Sequence, residues 1–173
     1  MAEVFLIGNI QGTSSLKGNY CSCQFSLHLG NNWELVEGAT EGRTQMAKLH
    51  EGSSIWQHPI DIHLAAHTFA DWPKLLFRVY CRDFFETDGF AGYGLLQVPS
   101  HAGHHKLDVP LWRPEGSFKH KLEGTLLGGH PEFEKTNFLF QDSLPTINVV
   151  SVGSLQLELN VVHRGFDRHG VVL

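Results

Sequence analysis

A period of two dominates the chain. Over residues 20–29, Cys21, Cys23, Phe25, Leu27 and Leu29 alternate with Tyr20, Ser22, Gln24, Ser26 and His28. That is the pattern of a strand with one dry face and one wet face. Residues 154–162 repeat it, with Leu155, Leu157, Leu159 and Val161 inward and Ser154, Gln156, Glu158 and Asn160 outward. Residues 74–82 place Leu75, Phe77, Val79 and Cys81 on one face and Lys74, Arg78 and Arg82 on the other. Further strands are predicted over 3–10, 33–37, 58–66, 92–98, 105–111 and 147–152, separated by turn signals such as Gly30-Asn31-Asn32 and Gly128-Gly129. About nine short strands joined by polar turns predict an all-β sandwich or jelly roll.

One stretch departs from this period. Phe118, Leu122 and Leu126 recur every four residues after Ser117, a candidate N-cap, and Pro114 and Gly128-Gly129 bound the segment. A single short helix is expected there. Residues 127–146 have neither period and carry Phe133, Phe138 and Phe140. They read as a long loop, either functional or a cover over one open end of the core.

Composition narrows the class. With 173 residues, 42% of them hydrophobic and 18% charged, the chain is long enough to bury one sizeable core. No repeat or linker divides it. A formal charge of −5 gives no global attraction for nucleic acid. Three cysteines, Cys21, Cys23 and Cys81, make no disulfide framework and suit a reducing compartment. The start, MAEVFLIGNI, lacks the charged and apolar regions of a signal peptide, and no run of about 18 apolar residues occurs. A cytoplasmic soluble protein is expected.

Candidate chemistry is sparse. His58, His63 and His67 suggest a metal set, yet His63 and His67 on one strand stand about 13 Å apart, too far for ligands of one zinc. Asp61, His63 and His67 fall opposite Ile60, Ile62 and Leu64, as on a solvent-facing strand. The cluster His101 to His105 lacks a fourth ligand. Cys21 and Cys23 point to one dry face and read as small core residues. Nucleophile-elbow, phosphate-loop and zinc-protease motifs are missing. No catalytic residue and no cofactor is therefore assigned. The acidic loop of Asp83, Glu86 and Asp88 between two strands offers too few oxygens for calcium, which takes six to eight. Near the C-terminus, Arg164, Asp167, Arg168 and His169 make a polar turn that reads as a partner surface. Its alternative is an exposed arginine–aspartate clasp worth under about 1 kcal/mol.

The acidic loop resembles the third loop of C2-type β-sandwich domains. Aligned on Gly92, Cys81 and Gly89 stand where calcium-binding members carry aspartates, Asp83 keeps one ligand position and Asp88 lies one step off. The resemblance implies a degenerate calcium site. Motifs along the whole chain resemble the B9-domain family: Ile7-Gly8, Trp33-x-Leu35, Gly42-x-Thr44-Gln45, Trp56-x-His58-Pro59-Ile60-Asp61-x-His63, Trp72-Pro73-x-Leu75-x-Phe77-x-Val79, Ala91-Gly92-Tyr93-Gly94, Trp112-Arg113-Pro114 and Phe166-Asp167-Arg168-x-Gly170-Val171.

That resemblance implies a C2-like antiparallel β-sandwich of about eight to nine strands with one short helix, as a single domain over residues 3–171. It further implies a non-enzymatic scaffold at the ciliary basal body and transition zone. The partners it implies are other B9-domain proteins and the tectonic and Meckel-complex membrane proteins, with tubulin or membrane lipid as further candidates. The competing readings are a phospholipid-binding C2-type module and, on histidine count alone, a metal-dependent enzyme.

Overall fold

The structure, a computed structural model, describes residues 2–82, 88–115, 140 and 148–166. Among the described residues, ten strands follow one another. They are β1 (Ala2–Ser14), β2 (Tyr20–His28), β3 (Trp33–Gly38), β4 (Glu41–Arg43), β5 (Ala47–Lys48), β6 (Ser54–Ala66), β7 (Lys74–Arg82), β8 (Asp88–Gln97), β9 (Gly103–Pro114) and β10 (Val149–Arg164). All the pairings are antiparallel, in the order β3-β6-β1-β10-β9-β8-β7-β2-β4, with β5 beside β2.

The sheet folds over at its middle. Only the pair Tyr93↔Trp112 joins β8 to β9, and past that joint the β7–β2 half turns back onto the β6–β1–β10 half. Hydrogen bonds between the halves fix the closure. Trp56 of β6 donates its indole N–H to the Cys21 carbonyl of β2 at 3.1 Å, and Gln45 donates to the Trp56 carbonyl at 2.7 Å. The result is the all-β antiparallel sandwich that the alternating pattern predicts.

The dry faces meet in one core. Leu155, Leu157, Leu159 and Val161 of β10 are buried there with Val4, Leu6 and Ile10 of β1, Ile60, Ile62 and Leu64 of β6, and Leu75, Phe77 and Val79 of β7. Each such side chain contributes roughly 1.5–3 kcal/mol on leaving water, which is what selects this register over one slipped by a residue. Trp56 sits in this core, while Trp72 is partly buried against it.

Three features differ from the sequence reading. The two strands predicted over 147–152 and 154–162 meet in one strand from Val149 on, because a bulge between Ser151 and Gly153 absorbs the break in period. Gly153 has φ of 153°, and a Cβ there would press into the Ser14 carbonyl, so the backbones approach where only glycine fits. Strands β4 and β5 have three and two residues, too short for alternation to register. Finally, Leu76 points away from the main core into a second cluster with Phe90 and Tyr93, flanked by Tyr80, Leu95, Trp112 and Phe140. Strand β7 is thus covered on both faces. The predicted helix lies outside the described residues, as does the 127–146 loop apart from Phe140.

Candidate interaction face

The outward face of the β3–β6–β1–β10 half is a grid set by strand register. One row runs Glu34, Ala65, Glu3, Arg164; the next runs Glu37, His63, Phe5, Val162; the third runs Asp61, Ile7, Asn160. Period two along β1, β6 and β10, and in β3 the bulge between Leu35 and Glu37, put these opposite the core positions Val4, Leu6, Ile62 and Leu64. The centre of the grid is apolar and open to solvent. Ile7 and Val162 are each 48% exposed. Phe5 stacks on His63 with ring centroids 4.1 Å apart and 16° between planes.

Charge surrounds that centre. His63 Nε2 lies 3.3 Å from the Glu3 carboxylate, and Arg164 reaches the same oxygen at 3.5 Å. Arg164 has a side chain 75% exposed, so this pair adds under about 1 kcal/mol to stability. Its value lies in the surface it presents. An apolar middle with a charged rim is the anatomy of a protein interface. Of the four residues expected to form a C-terminal partner surface, Arg164 lies at the edge of this face, opposite Glu3. Asp167, Arg168 and His169 lie outside the described residues. Sequence reasoning missed Phe5, Ile7 and Val162, although they are apolar residues at wet positions of strands, which is the signal that marks them.

The acidic loop is only partly described. Asp83 and Glu86 lie outside the described residues. Asp88 opens β8 and pairs with Arg82, whose Nε and Nη2 donate to its two carboxylate oxygens at 2.7 and 3.2 Å. This bidentate contact holds the Asp88 carboxyl below the usual carboxylate range. Both oxygens thus already serve a cation of the protein's own.

The histidines are dispersed among different neighbours. His58 faces Phe25, His67 lies 3.9 Å from Glu34, and His104 lies 2.8 Å from Glu158. Among the described residues, no group of three or more His, Cys, Asp or Glu is placed to hold a metal ion. No described helix is long and apolar enough to cross a membrane.

The fold is an antiparallel sandwich with an apolar, charge-rimmed sheet face, and comparison with known proteins gives its class. The family model B9-C2, described as ciliary basal body-associated B9 protein, matches residues 4–162, and the chain belongs to this family. It is 37% identical to B9 domain-containing protein 2 of Bos taurus over 99% of both chains. To the Drosophila melanogaster protein of that name it is 34% identical, over 99% of this chain and 98% of the other. To B9 domain-containing protein 1 of Xenopus laevis it is 26% identical, over 97% and 89%. Among solved structures, the C2A domain of plant Extended Synaptotagmin 1 aligns with TM-score 0.46 and 10% identity, over 91% of this chain and 92% of that one.

Proposed function

We propose that this chain is a non-enzymatic scaffold subunit of a ciliary transition-zone assembly. It works on the cytoplasmic side of the basal body, joins other B9-domain proteins, and through them meets tectonic and Meckel-complex membrane proteins. The observation that carries the reading is the exposed grid centred on Phe5, Ile7 and Val162. These three residues sit in one open, rigid sheet face within a chain that matches B9 relatives end to end. In this role the assembly supports cilium formation and limits the entry of membrane proteins. The alternative, a phospholipid-binding C2-type module, is weakened by the Arg82–Asp88 pair, which occupies a carboxylate that a calcium ion would need.

The test is co-purification from ciliated cells of the wild-type chain and an Ile7→Glu, Val162→Glu variant. Both positions are exposed, so the fold survives the change. Recovery of other B9-domain proteins with the wild type and their loss with the variant is the expected result. Equal recovery with both would remove this face from the assembly. Partner-free purification, with binding to anionic vesicles in calcium, would favour the lipid module instead.

A further inference from the structure

Cys21 and Cys81 face each other across the β2–β7 ladder. Residues directly opposed in an antiparallel pair have Cα atoms about 4.5–5.5 Å apart, inside the roughly 4.4–6.8 Å range of disulfides. Their side chains also leave the sheet on the same face. Cys21 is buried, whereas Cys81 is half-buried and forms the accessible end of the pair.

The surroundings of Cys21 are polar in an otherwise apolar core. Its sulfur lies 3.0 Å from the Ser54 hydroxyl and 3.9 Å from the Thr13 hydroxyl, and those hydroxyls are 3.3 Å from one another. Thr13 and Ser54, the two hydroxyl residues beside that sulfur, also line a shallow surface depression together with Gln11, Gln57 and Gln156. Hydroxyl donors aimed at sulfur favour the thiolate. The Cys81 thiol first, then Ser54 and Thr13, bring the Cys21 thiol down to about 7 against the opposing effect of burial. The same hydrogen bond, with burial, pushes the Cys81 thiol up. Cys23, two residues along the same face, lacks the paired hydroxyls: its sulfur donates to the Gln24 carbonyl at 3.6 Å, and burial, then the charge of Cys21, push its thiol up against a backbone hydrogen bond at Arg78.

We propose that Cys21 and Cys81 are a reversible oxidation site, converted to an intramolecular disulfide by a small peroxide. The Cys21 thiolate attacks one peroxide oxygen, the O–O bond breaks, and hydroxide leaves to take up the proton that Cys21 released, giving water and a sulfenic acid. The Cys81 sulfur then attacks the Cys21 sulfur. The S–O bond breaks, the hydroxyl leaves with the Cys81 proton as a second water, and the S–S bond forms. Two electrons pass from the two sulfurs to the peroxide, and a dithiol reductant reverses the step. The bridge would fasten β2 to β7 directly ahead of the acidic loop and beside the Tyr20↔Arg82 pair.

The experiment treats the reduced full-length protein with hydrogen peroxide and maps its peptides without reduction. The expected product is a Cys21–Cys81 linked peptide. Cys23 remains alkylatable once the chain is unfolded, and dithiothreitol restores both thiols. Cys81→Ser leaves a sulfenic acid at Cys21 that dimedone traps, and Ser54→Ala slows oxidation roughly five-fold by removing one hydrogen bond to the thiolate. A Cys21–Cys23 bridge, intermolecular bridges alone, or three thiols still reduced in the folded protein would each overturn the proposal. The wild-type map decides without any variant, so a misfolded Ser54→Ala protein would not rescue it.

Discussion

A methyl group on Gly8 would press into the Glu158 carbonyl and lie 2.9 Å from the Leu159 Cα, both backbone atoms of the paired strand β10. Backbone in the middle of a sheet cannot step aside as a flexible side chain can. Gly8→Ala should therefore destabilise the fold by about 1–3 kcal/mol or more, read as a lower denaturant midpoint with unchanged slope. Asp88→Asn makes the contrasting case. Its partner Arg82 and Asp88 itself have side chains 37% and 42% exposed, so the loss should stay under about 1 kcal/mol in the same experiment. The Ile7-Gly8 motif is legible in the sequence as a pair, but the reason for its glycine is not, because the obstructing carbonyl lies 150 residues downstream (158 − 8). The opposition of Cys21 and Cys81 is hidden for the same reason. Each cysteine reads correctly as facing the dry side, while their meeting depends on the β2–β7 register.

At the scale of elements, alternation reveals a strand wherever one face is dry and the run is long, as in β2 and β10. It fails where a bulge shifts the phase and where a strand is two or three residues long; in β7 it reveals the strand but not that the Leu76 face is covered as well. The end of β10 shows how an element can carry a pH response. His163 stacks on Phe166 at 4.4 Å and meets Trp72 edge-on at 6.5 Å, and Trp72 in turn packs edge-on against Trp33 at 4.8 Å. Burial, and then the charge of His101, hold His163 below the ordinary imidazole value. Near that value the unfolded chain binds a proton that the folded chain refuses. The contribution is complete above about pH 6.5 and is lost as pH falls through the folded value. His163→Phe keeps a ring in the stack and removes the titration. The fall in Tm between about pH 7.5 and pH 5 should then become shallower, as scanning fluorimetry would show. An unchanged slope would assign the pH response to other groups, His28 first among them.

On the scale of the whole molecule, the two sheet faces that point away from the main core serve different ends. One presents the open grid around Ile7 and Val162, whose apolar residues are legible as misfits in a wet face. The other carries the second cluster of Leu76, Phe90 and Tyr93 and is covered by Phe140. Phe140 belongs to a stretch that the sequence leaves undecided between a functional loop and a core cover. Phe140 itself packs over the outer face of β7 and β2. Its ring stacks on His28 at 4.2 Å and 8°, and its carbonyl accepts from Lys74 Nζ at 2.9 Å. His28 is held below the ordinary imidazole value by burial first and then by the charge of Lys74, against a smaller opposing effect of Asp71. If Phe140 supplies that burial, Phe140→Ala should do two things together. It should lower stability by about 1–3 kcal/mol, less than a fully enclosed phenylalanine because the site is only partly buried. It should also return the His28 titration, followed by NMR, toward the ordinary value. Lost stability with an unmoved His28 would mean that the strands and Lys74 shield the imidazole, and that Phe140 acts on the second cluster alone.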